Sequence, residues 1–98
     1  DSDCFAGGSD SFNRQSAALY QNLADDYMNL VAPSDLIDFH KQTISHFEKS
    51  HLVYQAVADC FKDPVKGYLA IQSLSSLVDK AKEIQSLLEK KYKEIGLN

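Results

Sequence analysis

The sequence has no tryptophan, only two prolines and four glycines in 98 residues, and no run of 18 apolar residues. So little Pro and Gly excludes collagen-like and low-complexity chains, and the missing apolar run excludes a membrane-spanning helix. No Gly-rich phosphate loop, nucleophile elbow, HExxH or EF-hand spacing occurs. Phosphoryl transfer, acyl transfer and zinc hydrolysis therefore have no motif to rest on. The chain is expected to be no enzyme and to use no metal or cofactor.

Basic residues are also in the minority. Ten Lys and Arg against fourteen Asp and Glu leave a net charge of −4, with a pI near 5.2. Such a balance does not suit a phosphate-binding surface, so nucleic acid is not an expected partner. The charge is uneven along the chain. Residues 1–38 hold seven Asp and only Arg14, whereas residues 39–98 hold nine Lys against seven acids.

What is present describes a single domain over residues 1–98, since a second core would need roughly 100 further residues. A chain this short hides roughly 64% of its unfolded surface, which permits folding alone with little stability to spare. It opens Asp1-Ser2-Asp3-Cys4 with neither Met nor an apolar leader, and is read as a processed, secreted product. Cys4 lies in a polar, Gly-containing arm over residues 1–9 that is expected to be flexible. Its only intrachain mate is Cys60. A Cys4–Cys60 disulfide would close a 57-residue loop, worth about 4 kcal/mol in the chain-entropy description. Two cysteines without CxxC spacing do not make a zinc site.

Three helical segments follow. Phe12, Ala18 or Leu19, Leu23, Tyr27 and Leu30 or Val31 recur at intervals of three and four, which predicts a helix over about 10–31, capped by Ser9 or Asp10. Pro33 forces Ala32 out of helical geometry, and Ser34 offers a fresh N-cap with Asp35 in the first turn. The second helix is predicted over 34–61, with Ile37, Ile44, Phe47, Tyr54 and Phe61 on its stripe. Ser50-His51 is the one place where it would break, into 34–49 and 51–61. Asp63-Pro64 is a cap followed by proline at the first helical position. The third helix is predicted over 64–95 and stopped by Gly96. Short links between the segments force antiparallel neighbours, so the expected fold is all-α, an up-down-up bundle of three long helices. Antiparallel packing sets the start of the first helix beside the end of the second. Cys4 and Cys60 lie at those two ends.

His40, His46 and His51 share the second helix at spacings of six and five, which stack no pair on one face as i,i+4 metal ligands do. His40 and His51 fall near the apolar stripe, a place for a pH-sensitive contact, and are expected as satisfied histidines at the core boundary. Asp25, Asp26, Asp35 and Asp38 are expected to form a solvated acidic corner rather than a calcium loop. The aromatics recur in two series, Phe47, Tyr54, Phe61, Tyr68 every seven residues and Phe5, Phe12, Tyr20, Tyr27 every seven or eight. These rings suit either a core or the lining of a ligand cavity.

The first functional expectation is a secreted, non-enzymatic protein that docks a helix face on another extracellular protein, as a small inhibitor or effector does. The residues expected to meet an acidic partner are Lys80, Lys82, Lys90, Lys91 and Lys93. The alternative is a carrier of a small hydrophobic ligand such as a fatty acid, sterol or pheromone, lined by Phe47, Tyr54, Phe61, Tyr68, Leu74 and Leu77. A Cys near the amino terminus with Asp59-Cys60-Phe61 later in the chain resembles the secretoglobins. The wider spacing, the 38 residues beyond Cys60 and the lack of a carboxy-terminal Cys depart from that pattern, and no family is recognised from the sequence.

Overall fold

Punctuation in the sequence sets the helices. The computed structural model describes Cys4 and residues 10–96; Phe5 and the remainder of the expected arm lie outside the described residues. Helix α1 spans Asp10–Met28, three residues short of the predicted end at Val31. Tyr27 and Asp26 carbonyls accept the closing turn bonds from Leu30 and Asn29, and the chain then runs extended into Pro33. Ser34 does not cap a helix as predicted. It begins a single 3-10 turn, Ser34–Leu36, and no side chain caps α2, which spans Ile37–Ala58.

Helix α2 is continuous through Ser50-His51, so the alternative of two shorter helices is excluded. It stops three residues before the predicted Phe61. Helix α3 spans Pro64–Glu94. As predicted, Asp63 caps it, its Oδ1 accepting the Lys66 amide N–H at 3.2 Å. Gly96 follows with φ +79°, the left-handed conformation that favours glycine after a helix end. At 1.5 Å per residue, the 31 residues of α3 rise about 46 Å. That accounts for the long dimension of a body 49 × 24 × 19 Å.

The chain is an all-α bundle with α2 at its centre. Helix α1 packs on α2, α3 packs on the same helix, and the α1 and α3 backbones nowhere approach within 8 Å, Cα to Cα. Cross-contacts fix the directions. Arg14 reaches Asp59 while Tyr27 stacks on His40, and Gly67 abuts Cys60 while Lys80 reaches Gln42. Both neighbours therefore run antiparallel to α2.

The buried stripe of α1 differs from the predicted one. Asn13, Ala17 and Ala24 are buried, whereas Phe12 and Leu19 are each 54% exposed. Small residues win this position because they let two backbones approach closely, and the bulky stripe is rotated toward an open side. The pattern is general: of nine buried apolar residues among those described, five are alanines, namely Ala17, Ala24, Ala56, Ala58 and Ala70. Ala56, Val57 and Ala70 form the central cluster, with Val53 and Ile71 against it. Burying so many small side chains yields close packing with little hydrophobic area per residue.

Candidate functional site

With α1 and α3 apart, α2 becomes the floor of a trough that they wall. The floor is an aromatic ladder from both helices. Phe12 meets Tyr54 edge-on at 6.2 Å, Tyr54 stacks on Tyr20 at 5.7 Å, and Tyr20 meets Phe47 at 6.0 Å. Phe47 then meets Tyr27 edge-on at 5.2 Å, and Tyr27 stacks on His40 at 5.8 Å. Phe12, Tyr20 and Tyr27 zip with Phe47 and Tyr54 because each series advances about two turns per ring on antiparallel helices. Burial raises the Tyr54 hydroxyl above the ordinary tyrosine range, with Tyr20 adding to it.

One part of the trough, about 350 Å³, is lined by Tyr20, Phe39, Thr43, Phe47, Ile84 and Leu88, among others. The adjoining part, about 160 Å³, is lined by Tyr20, Ser50, Tyr54, Leu74, Leu77 and Val78, among others. Of the expected ligand lining, Tyr54, Leu74 and Leu77 thus share one hollow and Phe47 lies in the next. Phe61 and Tyr68 lie apart from both and are 65% and 52% exposed.

Helical geometry also divides the expected lysine surface. Lys80 and Lys91, eleven residues or three turns apart, share one stripe and are paired, Lys80 with Glu83 and Lys91 with Glu94, both at 3.4 Å. Lys82 and Lys93, also eleven apart, share a different stripe beside Val78 and Gln85 at the trough rim. Lys90 points between the two. Among the described residues, Lys82, Lys90 and Lys93 form no ion pair.

The histidines take three different roles. His51 Nδ1 lies 2.9 Å from the Ala17 carbonyl; since a carbonyl only accepts, Nδ1–H donates, tying α2 to α1. His40 is the end of the aromatic ladder. His46 borders three hollows around the α2–α3 contact, and its Nδ1 is buried with no hydrogen-bond partner. Burial, then the charges of Lys80 and Lys49, lower its pKa. Periodicity alone does not single out His46; only the closeness of α3 does.

At the other end Arg14 clamps α1 to the α2 terminus. It donates to Asp10 at 3.1 Å, to Asp59 at 3.2 Å and to the Ala58 carbonyl at 3.2 Å. A cation at the helix C-terminus also complements the α2 dipole. Cys4 comes to 2.5 Å from Cys60, and both are free thiols in the structure. Among the described residues no three of His, Cys, Asp and Glu gather as metal ligands, and no helix is long and apolar enough to cross a membrane. The chain matches no protein-family model, no curated protein and no solved structure.

Proposed function

We propose that this chain is a secreted, non-enzymatic binding protein that docks helix faces on another extracellular protein, as a small inhibitor or effector does. The observation that carries the reading is the separation of α1 from α3. It leaves a long face with an apolar floor and charged rims, the anatomy of a protein interface rather than of an enclosed ligand chamber. Unpaired Lys82 and Lys93 beside that face, with unpaired Lys90 on the outer side of α3, suit an acidic partner. A Cys4–Cys60 disulfide belongs to the same reading and is supported by their close approach. Joining the sulfurs releases two protons and two electrons to the thiol–disulfide exchange system of an oxidising compartment.

The test is affinity capture from extracellular fluid with the native chain and with Lys82→Glu/Lys90→Glu/Lys93→Glu as bait. A discrete acidic protein held by the first and lost by the second supports docking; equal capture by both removes the lysines from it. One observation favours a second reading, a carrier of a hydrophobic ligand: the 350 Å³ hollow with Phe39, Phe47, Ile84 and Leu88 in its lining is within the size range of small-molecule sites. Saturable, one-to-one displacement of a fluorescent fatty-acid probe would establish it.

A further inference from the structure

His46 is the junction of two unlike spaces. One is the apolar trough, whose 350 Å³ hollow has Phe39, Phe47, Ile84 and Leu88 in its lining along with His46. Among the described residues, no Lys, Arg, Asp or Glu lines that hollow or its 160 Å³ neighbour. The other is a polar hollow of about 410 Å³, lined by Ser45, Lys49, Ser76, Asp79, Lys80 and Glu83 together with His46. His46 is the one described residue common to both spaces.

Two other polar side chains of the larger apolar hollow are engaged within the chain. Thr43 Oγ1 donates to the Phe39 carbonyl at 2.8 Å, and Gln85 Nε2 donates to Glu89 Oε1 at 3.4 Å. The His46 ring is not engaged in this way. Its Nδ1 is buried without a partner. A buried lone pair is less costly to leave alone than a buried N–H, so the neutral ring keeps its proton on Nε2. That nitrogen is then a donor with no acceptor among the described residues.

The charges around the ring select the acceptor. Burial first, then Lys80 of α3 and Lys49 of α2, hold its pKa below the ordinary histidine value. Asp79 and Glu83 of α3 also border the polar hollow, Glu83 being paired with Lys80 at 3.4 Å. Tyr20 of α1 and Tyr54 of α2 share the apolar side with the ring. Of these groups the two lysines are the ones that move its titration, so the local potential is positive and an oxyanion is the matching head.

We infer that the trough holds a single-chain carboxylate, an anionic amphiphile whose tail lies along Phe39, Phe47, Ile84 and Leu88 and whose head accepts from His46 Nε2–H. The inference rests on the carrier reading above and names its ligand class and head-group contact. The 350 Å³ hollow stands near the lower bound for ligand sites, which favours one acyl chain over the two of a membrane lipid. A bound carboxylate also eases protonation of the ring, so the complex takes up part of a proton from solvent as it forms.

Equilibrium dialysis of the intact, delipidated chain against dodecanoate, dodecanol and dodecyltrimethylammonium, each below its solubility or micellar limit, tests it, since only the head differs. Dodecanoate should bind one to one and about tenfold or more tighter than dodecanol, as a charged hydrogen bond implies, with dodecyltrimethylammonium weakest. His46→Leu, which has no donor, should make dodecanoate and dodecanol nearly equal. Lys49→Gln, at an exposed position, should narrow the preference with the ring intact. Leu88→Asn should weaken both ligands with helicity retained. In the native chain the His46 ring resonances should titrate at higher pH with dodecanoate than without it, and dodecanol should not raise them. Equal affinity for dodecanoate and dodecanol, with the titration of His46 unmoved, overturns the head-group contact and leaves the carrier reading standing. Tightest binding of dodecyltrimethylammonium overturns the anionic class. Undiminished binding to Leu88→Asn overturns the placement of the tail. No saturable uptake of any of the three overturns the inference and the carrier reading together, and leaves docking to be judged by affinity capture.

Discussion

Gly67 of α3 sits so close to Cys60 that a Cβ placed on it would fall 2.5 Å from the Cys60 Cβ and 3.3 Å from the Ala56 carbonyl oxygen. This contact sets the distance between α2 and α3 where the chain turns from one to the other. Alanine is ordinarily the better helix residue by about 0.8–1.0 kcal/mol. Here the sign reverses: Gly67→Ala should destabilise by about 1–3 kcal/mol through overpacking. Thermal unfolding should show a drop of about 4–8 °C per kcal/mol. An unchanged or higher melting temperature would mean that the two helices part without cost.

The proposed disulfide is tested most cleanly at Cys4, because Cys60 also packs on Gly67. Protein from its natural source should yield a Cys4–Cys60 peptide in a non-reducing digest. Cys4→Ser should cost about 4 kcal/mol, less any native-state strain. Reductant should lower the wild-type melting temperature to that of Cys4→Ser and leave the variant unmoved. Two alkylatable thiols in the natural protein would remove the bridge.

Below about pH 4, acid should act through Asp59. Its carboxyl is held below the ordinary range, chiefly by the Gln55 side-chain hydrogen bond, with Arg14 and Lys62 adding to it. A depressed folded pKa stabilises fully above about pH 4 and is lost as pH falls through the folded value. Asp59→Asn should therefore melt lower than wild type at neutral pH, and the two curves should converge as the solution is acidified below that range. Parallel curves at every pH would show that the carboxylate is not the group responsible.

His46 acts earlier on acidification. Its pKa is lowered by burial and by Lys80 and Lys49, so the unfolded chain takes up the proton more readily than the folded one. The associated stability is complete above about pH 6.5 and declines as pH falls below it. His46→Gln should flatten the melting temperature between about pH 7 and pH 5. A slope identical to that of wild type would remove His46 from the effect.

Local signals located the helices and missed how they face one another. Pro33, Asp63-Pro64 and Gly96 act within a few residues of themselves; Asp63-Pro64 and Gly96 bound α3 as the sequence suggests, whereas at Pro33 α1 stops early at Met28 and α2 starts late at Ile37. Which side of α1 turns inward depends on α2, and there Ala17 and Ala24, with little hydrophobic signal of their own, displace the more apolar Phe12 and Leu19. The lysines of α3 look like one patch in sequence, yet an interval of eleven residues, not their crowding, decides which of them share a face. His46 carries no marker at all in the chain, because its isolation from water depends on α3 arriving thirty residues later.

The wide separation of the α1 and α3 backbones, nowhere within 8 Å Cα to Cα, bears on cooperativity. In a closed bundle every helix is held by two others, and loosening one loosens all. Here α2 is the middle member of a linear array with two separate interfaces, so its free energy approximates a sum of neighbour terms, as in repeat proteins. Damage at Ala17 need not be felt at Ala70, and either outer helix can open while the other stays docked. The two interfaces are thus two units of hydrogen exchange sharing one central helix, whose amides are the last to be released.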